Sequence, residues 1–330
     1  MRLNILTILL LLTVSLLGQE RLKVVASASM IADITQNIIG DLHDIEMIVP
    51  IGGDPHLHEP TPSNARLVAA ADLILINGLT FEGWITELIE NSGSNASVVT
   101  VTKGVNVLTS QTYKNSADPH AWMDASNGVI YAENIAQAIS ALDIANQESF
   151  ANNLQAYQSE LVALDSEIKQ AISTIPSDQR ILITSHDAFQ YFGRRYGIQL
   201  EAIMGISTEA EAQTADITRV NKVIREKGIP AIFIESTINP KLMQQLAHDN
   251  KIGIGGKLYA DSLGDKDSPA ASYVDMLRYN TTTIVKALTQ PLSVSSDEGQ
   301  GGMNYGFIIT LGLALFAGLG LLIYFLNKAS

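Results

Sequence analysis

The 330-residue chain contains no cysteine. That absence excludes disulfides and thiolate metal sites, and leaves His, Asp and Glu as the side chains able to hold a metal. It also excludes a lipid-modified cysteine behind a leader peptide. Basic residues are few beside acidic ones, 21 against 34, for a net charge of −13, which argues against nucleic acid as a partner. Catalytic signatures are missing too. There is no HExxH helix of a metallopeptidase and no GxSxG elbow of a serine hydrolase. "TSHD" (Thr184–Asp187) sets Ser, His and Asp side by side, but neighbours in sequence rarely form a triad. No internal repeat is visible.

Long apolar runs fall at the two ends. Residues 1–18 have the layout of a signal peptide: Arg2, an apolar run from Ile5 to Leu17, then Gly18. Tyr305 to Leu326 carries no charge, is flanked by Lys328, and has the length of a single transmembrane helix. Residues 290–304, with "LSVSSDEGQGG", read as a flexible tether to it. Charge bias at that span places Lys328 in the cytoplasm and the body of the protein outside. The expected topology is an extracytoplasmic protein anchored by a C-terminal helix.

Between the ends, short apolar runs alternate with helical stretches. "LKVVAS" (Leu22–Ser27), "IEMIVP" (Ile45–Pro50), "DLILIN" (Asp72–Asn77) and "SVVTV" (Ser97–Val101) read as strands. So do "RILITS" (Arg180–Ser185), "AIFIES" (Ala231–Ser236) and "KIGIGG" (Lys251–Gly256). Strands in this rhythm, separated by helices such as Met30–Gly40 and Thr61–Ala71, predict βα units and parallel sheets. From Asn146 to Ile175 there is no Gly or Pro, and apolar residues recur at Phe150, Leu154, Tyr157, Leu161, Leu164, Ile168 and Ile172. That spacing predicts one long amphipathic helix, roughly 45 Å at helical rise. The expected architecture is α/β: one lobe over 19–145, a rigid linker helix over 146–176 and a second lobe over 177–289.

Six histidines are present. His43 and His248 lie in polar settings and read as surface or hydrogen-bonded residues. The other four follow strands or sit in repeated motifs: His56 and His58 in "GGDPHLHEPTP", His120 in "SADPHAWMD", His186 in "SHDAFQYF". "DPH" occurs twice, each proline stiffening the approach to its histidine. A ligating imidazole needs an acceptor on its other nitrogen, and Asp54 and Asp118 are candidates for that role. Asp261, after a late strand in "GKLYADSLGD", offers a carboxylate. Three imidazoles and a carboxylate suit zinc, and also manganese or ferrous iron. Four protein ligands close the shell, whereas a catalytic zinc keeps a position open for water. Carriage is favoured over chemistry, and the chain is not expected to be an enzyme.

Read in order, "VVASASMIADITQNIIGD", "VPIGGDPHLHEPTPSNARLVAAADLILINGLTFEGW", "DPHAWMD", "SHDAFQYFGRRYGI", "IFIESTINPK" and "LYADSLG" with "SYVDMLRYN" resemble the zinc/manganese solute-binding proteins of ABC transporters. The resemblance runs from about Leu22 to Leu288. It implies two α/β lobes bridged by a stiff helix, one metal ion between them, and delivery of that ion to the permease of an ABC importer. It also implies His56, His120, His186 and Asp261 as metal ligands, with zinc favoured by His186 and manganese next. The sequence departs from the family at three points. His58 stands where an aromatic is common, the lipid-anchoring cysteine is missing, and no His-rich acidic loop separates the first two ligands. His58 lies nearly 7 Å from His56 in extended chain, so it reads as a neighbour of the site and not a ligand. A metal-stabilised surface adhesin of the same fold is the alternative reading.

Overall fold

The computed structural model describes residues 21–109, 116–209 and 211–289. The first lobe is built on a parallel sheet of β1 (Lys23–Ala26), β2 (Asp44–Met47), β3 (Leu73–Ile76) and β4 (Ser97–Thr100), in the order β2-β1-β3-β4. Its central strands, KVVA and LILI, are almost wholly buried, as expected for strands covered on both faces. Helix α1 (Ser29–Ile39) buries Met30, Ile31, Ile34 and Ile38 against one face. Helices α2 (Pro62–Ala69) and α3 (Ile85–Ser92) cover the other, where Val68, Ile85 and Leu88 meet Val25 and Ile74. Helix α4 (Ala125–Leu142) closes the lobe on the α1 side and runs into α5 (Gln147–Ser173).

The long helix expected from the spacing is α5. Its 27 residues span about 40 Å. The buried face is the predicted one, Phe150, Tyr157, Leu161, Leu164, Ile168 and Ile172, with Leu154 only partly covered. Asp165 joins that face, its carboxylate bound by Arg195 Nε and Nη2, each at 2.8 Å, and by Lys169 Nζ at 2.6 Å. Burial opposes ionisation there, but these cations outweigh it and hold the carboxyl below its usual range.

The second lobe contains two parallel strand pairs. One joins β5 (Ile181–Thr184) to β6 (Gln199–Ala202), with α6 (Gln190–Tyr196) between them. The other joins β7 (Ala231–Glu235) to β8 (Gly253–Leu258), through α8 (Lys241–Asn250). Helices α7 (Thr214–Lys227) and α8 pack Val220, Ile224, Met243 and Leu246 on one side. Helix α9 (Tyr273–Thr289) returns along β8 and α5. Strand β6 is absent from the sequence expectation because "QLEA" is short and half polar. One continuous core includes Ile34 and Ile135 of the first lobe, Leu164 of α5, and Leu182 and Leu277 of the second.

The membrane-spanning helix is a correction to the expected fold. Among the described residues no helix is long and apolar enough to cross a membrane. Even α5 carries a polar stripe along its length, since it covers a core on one side and meets water on the other. The signal peptide over 1–18, the tether over 290–304 and the segment 305–326 lie outside the described residues. The architecture is two α/β lobes with parallel sheets about one long helix.

Two substitutions on α5 test its role as the shared spine. Leu164 is 1% exposed and Val162 61%. Leu164→Ala should cost about 2–5 kcal/mol through lost burial and a residual cavity, whereas Val162→Ala should stay within about 0.5 kcal/mol. Urea unfolding of the two variants reads the difference.

Candidate metal centre

Four side chains predicted from separate motifs meet between the lobes. His56 follows β2, His120 precedes the helical turn Ala121–Met123, His186 follows β5 directly and Asp261 follows β8. Loops leaving the carboxyl ends of strands are where parallel α/β folds gather ligands. One donor atom from each lies within 4.8 Å of every other, and all four residues are buried. His56 Nε2 is 3.3 Å from His120 Nε2, which is 3.4 Å from His186 Nε2. Asp261 Oδ2 stands 3.1 Å from His186 Nε2 and Oδ1 3.4 Å from His120 Nε2. Donors placed tetrahedrally at zinc–nitrogen bond length are about 3.3 Å apart. The four separations just given lie near that value, while His56 Nε2 to Asp261 Oδ2 is longer at 3.9 Å.

Hydrogen bonding leaves the same opening. Imidazole nitrogens face one another, which uncharged rings cannot fully satisfy. Despite the short contact to His186, neither Asp261 oxygen has a hydrogen bond of proper geometry. Unpartnered buried carboxylate oxygens are costly, and a cation at the centre would serve both.

Around these donors sits a ring of orienting groups. Asp118 Oδ1 accepts the backbone N–H of His120 at 2.9 Å and lies 2.8 Å from its Nδ1. Asp54 meets the backbone of His56 at 2.9 Å, and its other oxygen accepts the hydroxyl of Thr208, 2.7 Å away in the second lobe. His58 is outside the cluster. Its ring packs edge-on to Trp84 at 4.8 Å and its Nε2 lies 3.3 Å from Asn64 Oδ1. Glu235 escaped the sequence reading: Oε2 lies 2.6 Å from His186 Nδ1 and Oε1 accepts the His186 N–H at 2.9 Å. The available signal was an acidic residue ending a strand as apolar as "AIFIE". His43, by contrast, is buried away from the site, accepting the Leu22 N–H at 3.2 Å and facing Asp143 at 3.0 Å, while His248 is exposed.

Bridges between the lobes converge on the Asp261 loop. Trp122 Nε1 donates to Ala260 O at 2.9 Å, the Gly52 N–H to Ser262 Oγ at 2.7 Å, and the Leu263 N–H to Ser29 Oγ at 2.9 Å. The residues on either side of Asp261 are thus tied to the first lobe. Phe81 and Trp122 wall the histidines, with ring centroids 4.9 Å from His56 and 5.2 Å from His120.

A two-lobed α/β frame with an enclosed cation-sized donor cluster between the lobes defines the class: a solute-binding protein whose solute is a metal ion. More narrowly, the chain belongs to the ZnuA family, the periplasmic component A of zinc-uptake complexes, whose model matches residues 24–287. Among its relatives is the metal ABC transporter substrate-binding lipoprotein ScbA of Streptococcus cristatus, 38% identical over 281 residues, covering 83% of this chain and 91% of that protein. The manganese ABC transporter substrate-binding lipoprotein PsaA of Streptococcus anginosus is 37% identical, covering 82% and 90%. The periplasmic zinc-binding protein TroA of Treponema pallidum matches in structure with a TM-score of 0.78 at 32% identity, covering 82% of this chain and 99% of that one. A manganese-bound periplasmic metal-binding protein of Candidatus Liberibacter asiaticus gives 0.75 at 32% identity, covering 81% and 100%. The relatives are substrate-binding proteins and not enzymes. Two are named lipoproteins, whereas this chain has no cysteine to carry a lipid.

Electrostatics tie cation binding to protons. Burial lowers the basicity of His120, but Asp118 and Asp261 outweigh it and raise the pKa to about 9. Burial likewise opposes a proton on His186, and Glu235 with Asp261 push its pKa well above the ordinary value. Burial dominates at His56, aided by the two neighbouring imidazoles, and lowers it to about 3. In the metal-free site burial and the neighbouring carboxylates pull the imidazoles apart, His120 and His186 towards the protonated form and His56 towards the neutral one. A divalent cation competes with protons for His120 and His186, so its affinity should fall as the pH is lowered. Calorimetric titration with zinc in buffers of different ionisation enthalpy should show net proton release at pH 7. Release of none would contradict this assignment.

Proposed function

We propose that this protein captures a divalent metal ion between its lobes, through His56, His120, His186 and Asp261, and hands it to the permease of an ABC importer on the extracytoplasmic face of the membrane. The observation that carries the reading is the convergence of four buried donors, drawn from both lobes, to within 4.8 Å of one another. Zinc is the favoured ion and manganese the next. Three nitrogens and one carboxylate form a softer shell than an oxygen-rich one, and such shells bind zinc more tightly than manganese. Relatives named for either metal support the pair of candidates. In this reading Asp118 and Glu235 fix the imidazoles they touch, as carboxylates commonly do for metal-bound histidine. His58 stands beside the site. The lobes over 19–145 and 177–289, with the helix over 146–176 between them, are the two jaws, and residues 1–18 are the export leader.

Transporter-component names among the relatives give no support to a surface adhesin in which the metal is only structural. Filling of the shell by protein donors also speaks against hydrolysis at the metal.

Elemental mass spectrometry of the purified protein and competition titration test the proposal. One zinc per chain is expected, held tighter than micromolar. His120→Ala should weaken binding more than about 100-fold, beyond the range for loss of an orienting partner. His58→Tyr should leave affinity essentially unchanged. No first-row ion bound tighter than micromolar, or full affinity in His120→Ala, would refute the reading.

A further inference from the structure

We propose that Glu82 is the positioning residue for the first lobe's half of the metal centre. Its carboxyl holds the arch Asn77–Thr80, and through that arch sets Phe81 against His56 and Asn77 against the carbonyl preceding His120. The inference rests on the metal-binding reading above.

Glu82 is 4% exposed and touches none of the four donors. Its Oε1 accepts the Ser27 hydroxyl at 2.5 Å and the Asn77 N–H at 2.7 Å, and its Oε2 accepts the Gly78 N–H at 3.0 Å. Ser27 and Asn77 follow the ends of β1 and β3, so this one side chain ties off the two central strands at the edge facing the metal. Burial raises the pKa of Glu82, and the three donors oppose that rise.

The chain needs such a clamp. Gly78, Leu79 and Thr80 run through the left-handed region in succession, with φ of 75°, 54° and 67°. Glycine is required at the first position, where a Cβ would also meet Thr100 Cγ2 at 2.7 Å. Leucine and threonine tolerate this region poorly, and such residues persist only where surrounding contacts over-determine them. Glu82, at the far end of the arch, supplies two of those contacts directly to Asn77 and Gly78.

Both outputs of the arch reach ligands. Phe81 is fully buried and meets the His56 ring edge-on at 4.9 Å, while its ring lies 4.7 Å from Trp122. Asn77 Nδ2 donates to Pro119 O at 2.9 Å, one residue before His120. Asn77 is itself fixed, accepting the Tyr131 hydroxyl at 2.5 Å on Oδ1 and the Thr102 hydroxyl at 2.6 Å on its carbonyl. His186 and Asp261 are held separately, by Glu235 and by the bridges around Asp261.

Glu82→Gln keeps the shape of the side chain but presents one acceptor oxygen and an NH2 group to three donors. Competition titration with zinc alone, well below the unfolding midpoint, should show at least a five-fold loss of affinity, with faster metal release to a chelator. In the metal-free protein the ring-nitrogen resonances of His56 and His120 should move and those of His186 stay, a pattern that general loosening does not produce. Ser27→Ala, which removes one donor and leaves the carboxyl, should show the same pattern more weakly and serves if the first variant does not fold. Wild-type protein titrated alongside separates the two readings. If it binds no zinc, the proposed function fails. If it binds and both variants match it in affinity and release rate, or if His186 shifts as far as His56 and His120, the role of Glu82 is overturned.

Discussion

Three carboxyl groups and three imidazoles are buried together between two lobes, and the rest of the molecule is arranged about that concentration of charge. Asp261 faces the imidazoles with neither oxygen properly hydrogen-bonded, while Asp118 and Glu235 press on the rings from behind. Removing an ionised group from water costs several kcal/mol even after relaxation. A pair of unit charges 4 Å apart recovers about 4 kcal/mol at an effective dielectric near 20. Such an arrangement is a poor way to stabilise a fold, and a core of apolar residues in the same volume would do as well or better. A small doubly charged ion placed among these groups would meet the four donors and offset the excess carboxylate charge.

Geometry of this kind must be held rigid, because shifts of a few tenths of an ångström alter a metal shell. Rigidity comes from sharing a single core between the lobes. Helix α5 contributes to that core along its full length, and α1 and α4 of the first lobe and α9 of the second pack against it. The Asp261 loop is then tied to the first lobe by Trp122, Gly52 and Ser29. Opening the lobes widely would break these hydrogen bonds and expose core surface at once, so only modest hinging fits the frame.

The sequence disclosed the frame through pattern and the site through position. Buried parallel strands show as continuous apolar runs, and "LILI" and "AIFIE" needed no structure to be recognised. The spine α5 showed in its three-and-four spacing without Gly or Pro. Strand β6 did not show, because four half-polar residues carry too little periodicity. Asp118 lay close enough to His120 for their partnership to be anticipated. Glu235 did not, since it is 49 residues from His186 and its contact exists only once β7 lies beside β5. The apolar C-terminal run led to an expected membrane helix, which the described architecture does not contain. Apolar length is a local property, and it does not by itself place a segment.

What the sequence determined on its own is the chemistry available: no thiol, a few histidines after strands, an aspartate behind a late strand, and a helix too long to belong to either lobe. What only the tertiary structure decided is which of those groups meet. His56 and His58 are equivalent on paper, two residues apart in one loop. Folding turns His56 into the cluster and lays His58 on Trp84. Glu82 was one acid among 34 acidic residues, and it acquires its place because the ends of β1 and β3 bring three donors to it. The reason is the same in each case. A donor's role depends on distances across the chain, which periodicity does not encode and packing does.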